Sequence, residues 1–319
     1  MITAKNYAAQ AEFGMFRAAE IRRKQGADAD AFSIQRIADK IGKAIHFALP
    51  DGGKILDDGL KGIWGIGVRL PFKSITVEYY VEDKDLPEGM VNIKKRCILA
   101  EEILISEALE RGHVNEKLAL RFRGKDQKNE TINAVTSMIY FDGGWYPEPI
   151  GFLLPVEWDN LPTMEDTIIG AGNGVPISGY PFAVVPDMCH KFIEEEGREV
   201  FLMSRVKDIQ TEVYTILEMC EALSCKNITT ENHQDPSPKN ARRIAKGKLP
   251  IYETKILVVS VAKPQTNVGA GAGHSSPRQH LRRGHIRRLP IGNIWVNSCV
   301  VGDAKKGIIG KSYAVRKAA

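Results

Sequence analysis

Apolar residues recur at three-and-four spacing near the start of the chain, and this period predicts two amphipathic helices. The first covers residues 3–24. Ala8, Ala11, Phe13, Phe16, Ala19 and Ile21 form the stripe expected to face a core, and Gln25-Gly26 stops it. The second begins at Ser33, a good N-cap, and runs over 33–49 with Ile34, Ile37, Ile41, Ala44, Ile45 and Ala48 at helical spacing; His46 falls inside it. Pro50-Asp51-Gly52-Gly53 ends that helix. The period then changes to two. Residues 74–82 place Ile75, Val77, Tyr79 and Val81 on one face of a strand; 96–105 reads as a second, though Ala100-Glu101-Glu102 could equally begin a helix, and 134–141 as a third. Asp142-Gly143-Gly144 turns the chain into 145–156, where Pro147, Pro149 and Pro155 argue for an edge strand or an extended cover.

Residues 161–186 are rich in glycine and proline and read as a connection. The run Gly170-Ala171-Gly172-Asn173-Gly174 lacks the Lys-Ser/Thr that a phosphate loop requires. Helical periodicity returns over 187–197, with Asp187 as its cap, and over 206–223, with Ile209, Val213, Ile216, Leu217 and Leu223 as the apolar stripe. Strands follow at 225–230 and 251–261, then a small-residue loop at 265–273. Three further strands read as 279–289, 294–301 and 308–315, with a loop at 302–307. The expected fold class is α+β. N-terminal helices and a mixed or antiparallel sheet occupy 1–160, the connection 161–186, and a helix-plus-antiparallel-meander domain 187–319.

Composition adds little to that picture until charge is divided along the chain. Apolar content is 43% and charged content 26%, ordinary for a globular protein, and no run of eighteen apolar residues exists. With no signal-peptide pattern at the start, a cytoplasmic protein without membrane contact is expected. The five cysteines are scattered with no Cys-x-x-Cys pair, which excludes a zinc ribbon and points to buried free thiols. The net charge of +5 is very uneven: residues 236–319 hold 17 Lys/Arg against Glu253 and Asp303, a local +15, so the rest of the chain carries −10. Such a split suggests a nucleic-acid contact confined to the basic quarter.

Two stretches concentrate that charge. Residues 239–248 contain Lys239, Arg242, Arg243, Lys246 and Lys248 and no acid; residues 275–290 contain Arg278, His280, Arg282, Arg283, His285, Arg287 and Arg288, again with no acid. Strict alternation over 279–289 would mix apolar and basic residues on both faces. A bulge at Arg283-Gly284 resets the register and sends Leu281 and Ile286 to the core, leaving His280, Arg282, His285 and Arg287 together. Three chemistries fit such a face. Arginines bind phosphate by planar, bidentate contacts, which needs nothing more. Alternatively His280 and His285 act as acid and base in metal-independent RNA cleavage, with Arg287 stabilising charge on phosphorus and Lys311 and Tyr313 on the last strand completing the site. Zinc on His274, His280 and His285 is disfavoured by the surrounding arginines and the absence of an acidic or cysteine ligand, so no metal and no cofactor is expected. Trp295 reads as a core or strand-packing residue rather than a base-stacking platform.

The residues from His274 through Leu289, with the H-x-R-R-G-H-x-R pattern at 280–287, then Ile294-Trp295-Val296 and Gly310-Lys311-Ser312-Tyr313, resemble a C-terminal signature of uncharacterised phage and prophage proteins. Leu70-Pro71-Phe72, 145–149 and 222–228 fit the same spacing. The resemblance implies a phage-infected or prophage-carrying bacterial cell and assigns no activity. At fold level only, a helix plus meander with His and Arg on the sheet is similar to barnase/RelE-like ribonucleases. The sequence therefore points to a nucleic-acid-binding protein, RNA ahead of DNA, and leaves open whether it also cuts. The rival class is a non-enzymatic inhibitor or adaptor whose acidic body docks on a host protein.

Overall fold

The computed structural model describes residues 1–55, 68–81, 94–124, 126–156, 168–169, 177–259, 278–282, 285–296, 299–301 and 303–308. In chain order the first part contains α1 (Tyr7–Lys24), α2 (Asp28–Ile41), β1 (Ile45–Ala48), β2 (Ser74–Tyr80), β3 (Lys95–Leu104), α3 (Ile105–Glu110), α4 (Glu116–Arg123), β4 (Thr131–Phe141), β5 (Gly144–Pro147) and β6 (Ile150–Pro155). Then come β7 (Ile168–Ile169), β8 (Ile177–Ser178), β9 (Tyr180–Ala183), α5 (Pro186–Glu196), α6 (Arg198–Leu223), β10 (Ile228–Gln234), α7 (Asn240–Ala245) and β11 (Thr254–Val259). The α+β class is as the sequence predicts.

Nine strands make one mixed sheet in the order β10-β11-β1-β2-β3-β4-β6-β9, with β5 paired to β4. Strand β1 is parallel to both its neighbours, with His46 opposite Thr254 on one side and Thr76 on the other. The β2–β3–β4–β6–β9 half is antiparallel. Helices cover both faces at β2. Glu78 of that strand accepts the backbone N–H of Ala8 in α1 at 2.9 Å, while the neighbouring Tyr79, on the opposite face, meets Glu212 and Thr215 of α6. With both faces covered, β2 and β6 are buried nearly throughout. Ile75, Val77, Ile98, Leu99, Phe47, Phe152 and Ile216 are among the core side chains.

The first helix buries only half of the stripe its periodicity suggests. Ala8, Ala11, Met15 and Ala19 face inward, whereas Phe13, Phe16 and Ile21 are 49%, 38% and 50% exposed. The small stripe lets α1 lie close to the sheet: a Cβ on Gly14 would stand 2.5 Å from Cβ of Trp145 on β5. At the end of α2 the sequence reading also fails. The helix stops at Ile41, and the residues expected to continue it form β1. A short apolar run reads equally as helix or strand, and pairing with two parallel neighbours decides for the strand. His46 is therefore a strand residue.

The expected division at 161–186 does not separate two sheets. Strand β9 pairs with β6, and β10 and β11 extend the N-terminal sheet through β1, so residues 187–259 add to the first layer structure. The physical reason is β1 itself: once it is a strand, its outer edge needs a partner, and β11 supplies one. The proline-rich segment is not a cover either. Pro147 ends β5, Pro149 lies between strands and Pro155 closes β6, which is an interior strand between β4 and β9. Asp187 is not the cap of α5, since Pro186 precedes it in the helix; its carboxylate instead accepts the N–H of Asp30, and Asp30 accepts the N–H of Asp187 at 2.7 Å. The glycine run at 170–174 lies outside the described residues.

Candidate nucleic-acid interface

The strand expected over 279–289 is two strands with different partners. β12 (Arg278–Arg282) pairs antiparallel with β15 (Cys299–Val301) and parallel with β16 (Asp303–Ile308). Among the described residues β13 (His285–Leu289) pairs with β14 (Gly292–Val296) alone, in a hairpin closed by Pro290-Ile291. The stretch read as a loop at 302–307 is thus largely β16, and the C-terminal region is not one antiparallel meander. His280, opposite Val301, and His285, opposite Val296, stand in separate sheets. The two segments find different neighbours rather than one continuous partner strand. The bulge residues Arg283 and Gly284, together with His274, Lys311 and Tyr313, lie outside the described residues.

The hairpin is docked by a side chain that imitates a strand. Asn227, between α6 and β10, donates from Nδ2 to Trp295 O and accepts from Trp295 N, both at 2.7 Å. The N–H of Lys226 donates to Asn293 O at 3.0 Å, and Asn293 Nδ2 donates to Ser224 Oγ at 3.0 Å. Ile286 and Trp295, opposite each other in register, pack against the core, as expected for Trp295. Arg288 is engaged: its Nη2 donates to Glu221 Oε1 at 3.1 Å. Arg287, at the alternate position, is exposed and pairs with no carboxylate among the described residues. Lys226 is exposed too, its stem lying against Gly292 at the turn, where φ is +119° and a Cβ would come within 2.7 Å of Lys226 Cε.

The second basic stretch folds as α7 at the other end of β10. A six-residue helix that buries no side chain has little reason to form alone. It is held at its root by hydrogen bonds. Asn240 donates to Ile251 O at 2.9 Å and accepts Ile251 N at 3.0 Å; Arg243 Nε donates to Leu249 O at 3.0 Å. The following turn is fixed in turn by Asn6, which donates to Pro250 O at 2.9 Å and accepts Tyr252 N at 3.0 Å. Tyr252 stacks on His46 with ring centroids 4.7 Å apart and donates its hydroxyl to Glu12. Lys239, Arg242, Lys246 and Lys248 point to solvent, and none pairs with a carboxylate among the described residues. The sequence shows the charges; the two asparagines that brace them carry no signal beyond being polar.

Two other ionisable clusters are enclosed. Arg96 meets Glu148 at 3.4 Å and Glu212 at 3.1 Å, and burial, then the Glu212 charge, push Glu148 up to about 7. Glu101 lies 2.5 Å from Arg36 and 3.0 Å from Lys40; burial works against its charge, but those two cations outweigh it and hold its carboxyl below the usual range. Burial drives His46 and His113 down to about 4, with His46 Nδ1 2.6 Å from Thr76 Oγ1 and His113 packed on Phe182. Among the described residues no group of three or more His, Cys, Asp or Glu is placed to hold a metal ion, and no helix is long and apolar enough to cross a membrane. Cys97, Cys189 and Cys225 are buried free thiols, as expected. The chain matches no family model, no curated protein and no solved structure.

Proposed function

We propose that this protein binds nucleic acid, RNA ahead of DNA, through the cationic surface of its C-terminal quarter, in the cytoplasm of the phage-infected or prophage-carrying cell that the sequence signature implies. The observation that carries the reading is α7. It buries nothing, yet the side chains of Asn240 and Arg243 tie it to the main chain of 249–251, which Asn6 holds in turn, so cations without a carboxylate partner among the described residues are displayed on a braced support. Pre-organisation of that kind lowers the ordering cost of binding an anionic partner. Lys and Arg contacts to phosphate position a ligand without reading its sequence. The cleavage alternative asks His280 and His285 to act from one strand, and their strands have different partners, so the proposal is confined to binding.

Anisotropy of a labelled mixed-sequence RNA, titrated with the full chain across a salt series, tests the reading. The four cations of α7 and its following turn predict, from that end alone, a slope of log K against log salt near −3, at about −0.7 per neutralised phosphate on a single strand. If neither RNA nor DNA is bound at low salt, the reading fails and the host-protein adaptor takes its place.

A further inference from the structure

We infer that the ligand engages both ends of β10 at once, so the surface takes a continuous phosphodiester polymer rather than a nucleotide or a short oligomer; this rests on nucleic acid being the partner. The hairpin docks beside Ile228 through Lys226 and Asn227, and α7 follows Gln234 at the far end of the strand. Seven residues of strand put the two cationic groups about 20 Å apart. Lys226 and Arg287 stand at one end; Lys239, Arg242, Lys246 and Lys248 stand at the other. The span between them is the exposed, mostly neutral run Thr229-Thr230-Glu231-Asn232-His233 on an edge strand. Asn232 is occupied by Asp235 and Lys255 and the Thr229 hydroxyl by Val258 O, which leaves the Thr230 hydroxyl to suit a phosphate contact, and Glu231 disfavours a third anchor.

A distance of about 20 Å corresponds to roughly six phosphates along one strand of a duplex. Each anchor alone offers only a few screened charges. Joined by one polymer, the second contact becomes intramolecular, and affinity rises by roughly 10²-fold or more without any new type of contact. Length, not base sequence, is then what the surface selects.

The test compares single-stranded RNAs of about 4 and about 16 nucleotides, a range that brackets common single-strand site sizes. It uses the full chain and two double variants, R242Q/K246Q and K226Q/R287Q. Arg243 and Arg288 are left alone because one braces α7 and the other pairs with Glu221. The longer RNA should bind at least about 10²-fold more tightly than the shorter, and either double variant should remove most of that difference. Circular dichroism and thermal melting, unchanged in both variants, would confirm that only charge was altered. Equal binding of the two lengths, or long-RNA binding that survives R242Q/K246Q, overturns the two-anchor inference and leaves the nucleic-acid reading standing. A wild-type chain that binds neither length sinks that reading itself.

Discussion

Asn227 and Trp295 exchange two hydrogen bonds of 2.7 Å, so a side-chain amide serves the hairpin as the peptide of a neighbouring strand would. The bonds are partly buried and both of Trp295's main-chain groups depend on them. Asn227→Ala should cost about 2–3 kcal/mol, two hydrogen bonds with their desolvation. The loss should be local: amide exchange at Trp295 speeds up and its fluorescence shifts to the red. Asn227→Asp keeps the acceptor for Trp295 N and should cost about half as much. Unchanged exchange at Trp295 in the alanine variant would show that the hairpin is held elsewhere.

The bracing of α7 gives a prediction that separates rigidity from charge. Asn240→Ala removes no cation but frees the N–H and carbonyl of Ile251. Affinity for RNA should fall roughly tenfold through lost pre-organisation, while the slope against salt stays as in the wild type. A slope that drops with the affinity would mean that the substitution displaced the cations rather than loosened them.

Close approach of α1 to the sheet makes Gly14 sensitive to size. Gly14→Ala places a methyl 2.5 Å from Cβ of Trp145, and both groups sit on backbone that cannot rotate away. Overpacking of this kind costs about 1–3 kcal/mol, enough to lower the melting temperature by several degrees. An equal or higher melting temperature would show that α1 can lift without loss.

Buried carboxyls set a pH dependence of defined sign. Burial pushes Glu78 up to about 7, and burial followed by the Glu212 charge does the same for Glu148. Between the ordinary carboxyl value near 4.5 and about 7 the folded state holds more protons than the unfolded one, so these groups lower stability as pH rises through that window. Glu148→Gln should therefore gain stability relative to wild type on going from pH 5 to pH 8, read by denaturant unfolding. A constant difference across that range would contradict the raised value.

His46 works in the opposite direction. Burial lowers it to about 4, so the folded state resists protonation, and stability is lost as pH falls from about 6.5 toward 4. In a proton NMR titration its ring resonance should stay in the neutral position until the pH nears 4. A shift at pH 6 would mean the ring is accessible and the stack on Tyr252 open.

Strand β2 was legible because 74–82 alternates, and the apolar runs 96–105 and 134–141 correspond to β3 and β4 with small shifts at the ends. β1 was not legible, since Ile45 and Ala48 continue a helical spacing and only partners distant in sequence make them a strand. With β1 hidden, β11 had no visible place in the first sheet, and a second domain looked complete. At the site, the cations of 239–248 were plain in the sequence, but Arg243 and Arg288 are tied by contacts that no local pattern encodes. Within 279–289 the inward placement of Ile286 agrees with the structure; the sequence did not reveal that β12 and β13 answer to different neighbours.

The pairing of His46 with Thr254 has a consequence for how the chain is made. On a ribosome β1 emerges early, and more than two hundred residues must follow before β11 can cover its outer edge. Until then the nascent chain carries an apolar parallel edge beside an otherwise formable β2–β3–β4 unit, the kind of surface that recruits chaperones or joins another chain. Long-range closure also makes the final step slow. A stop codon anywhere between β9 and β11 would therefore release an unfinished sheet with β1 as an unguarded edge, and such truncations should accumulate as aggregates rather than as a smaller folded domain.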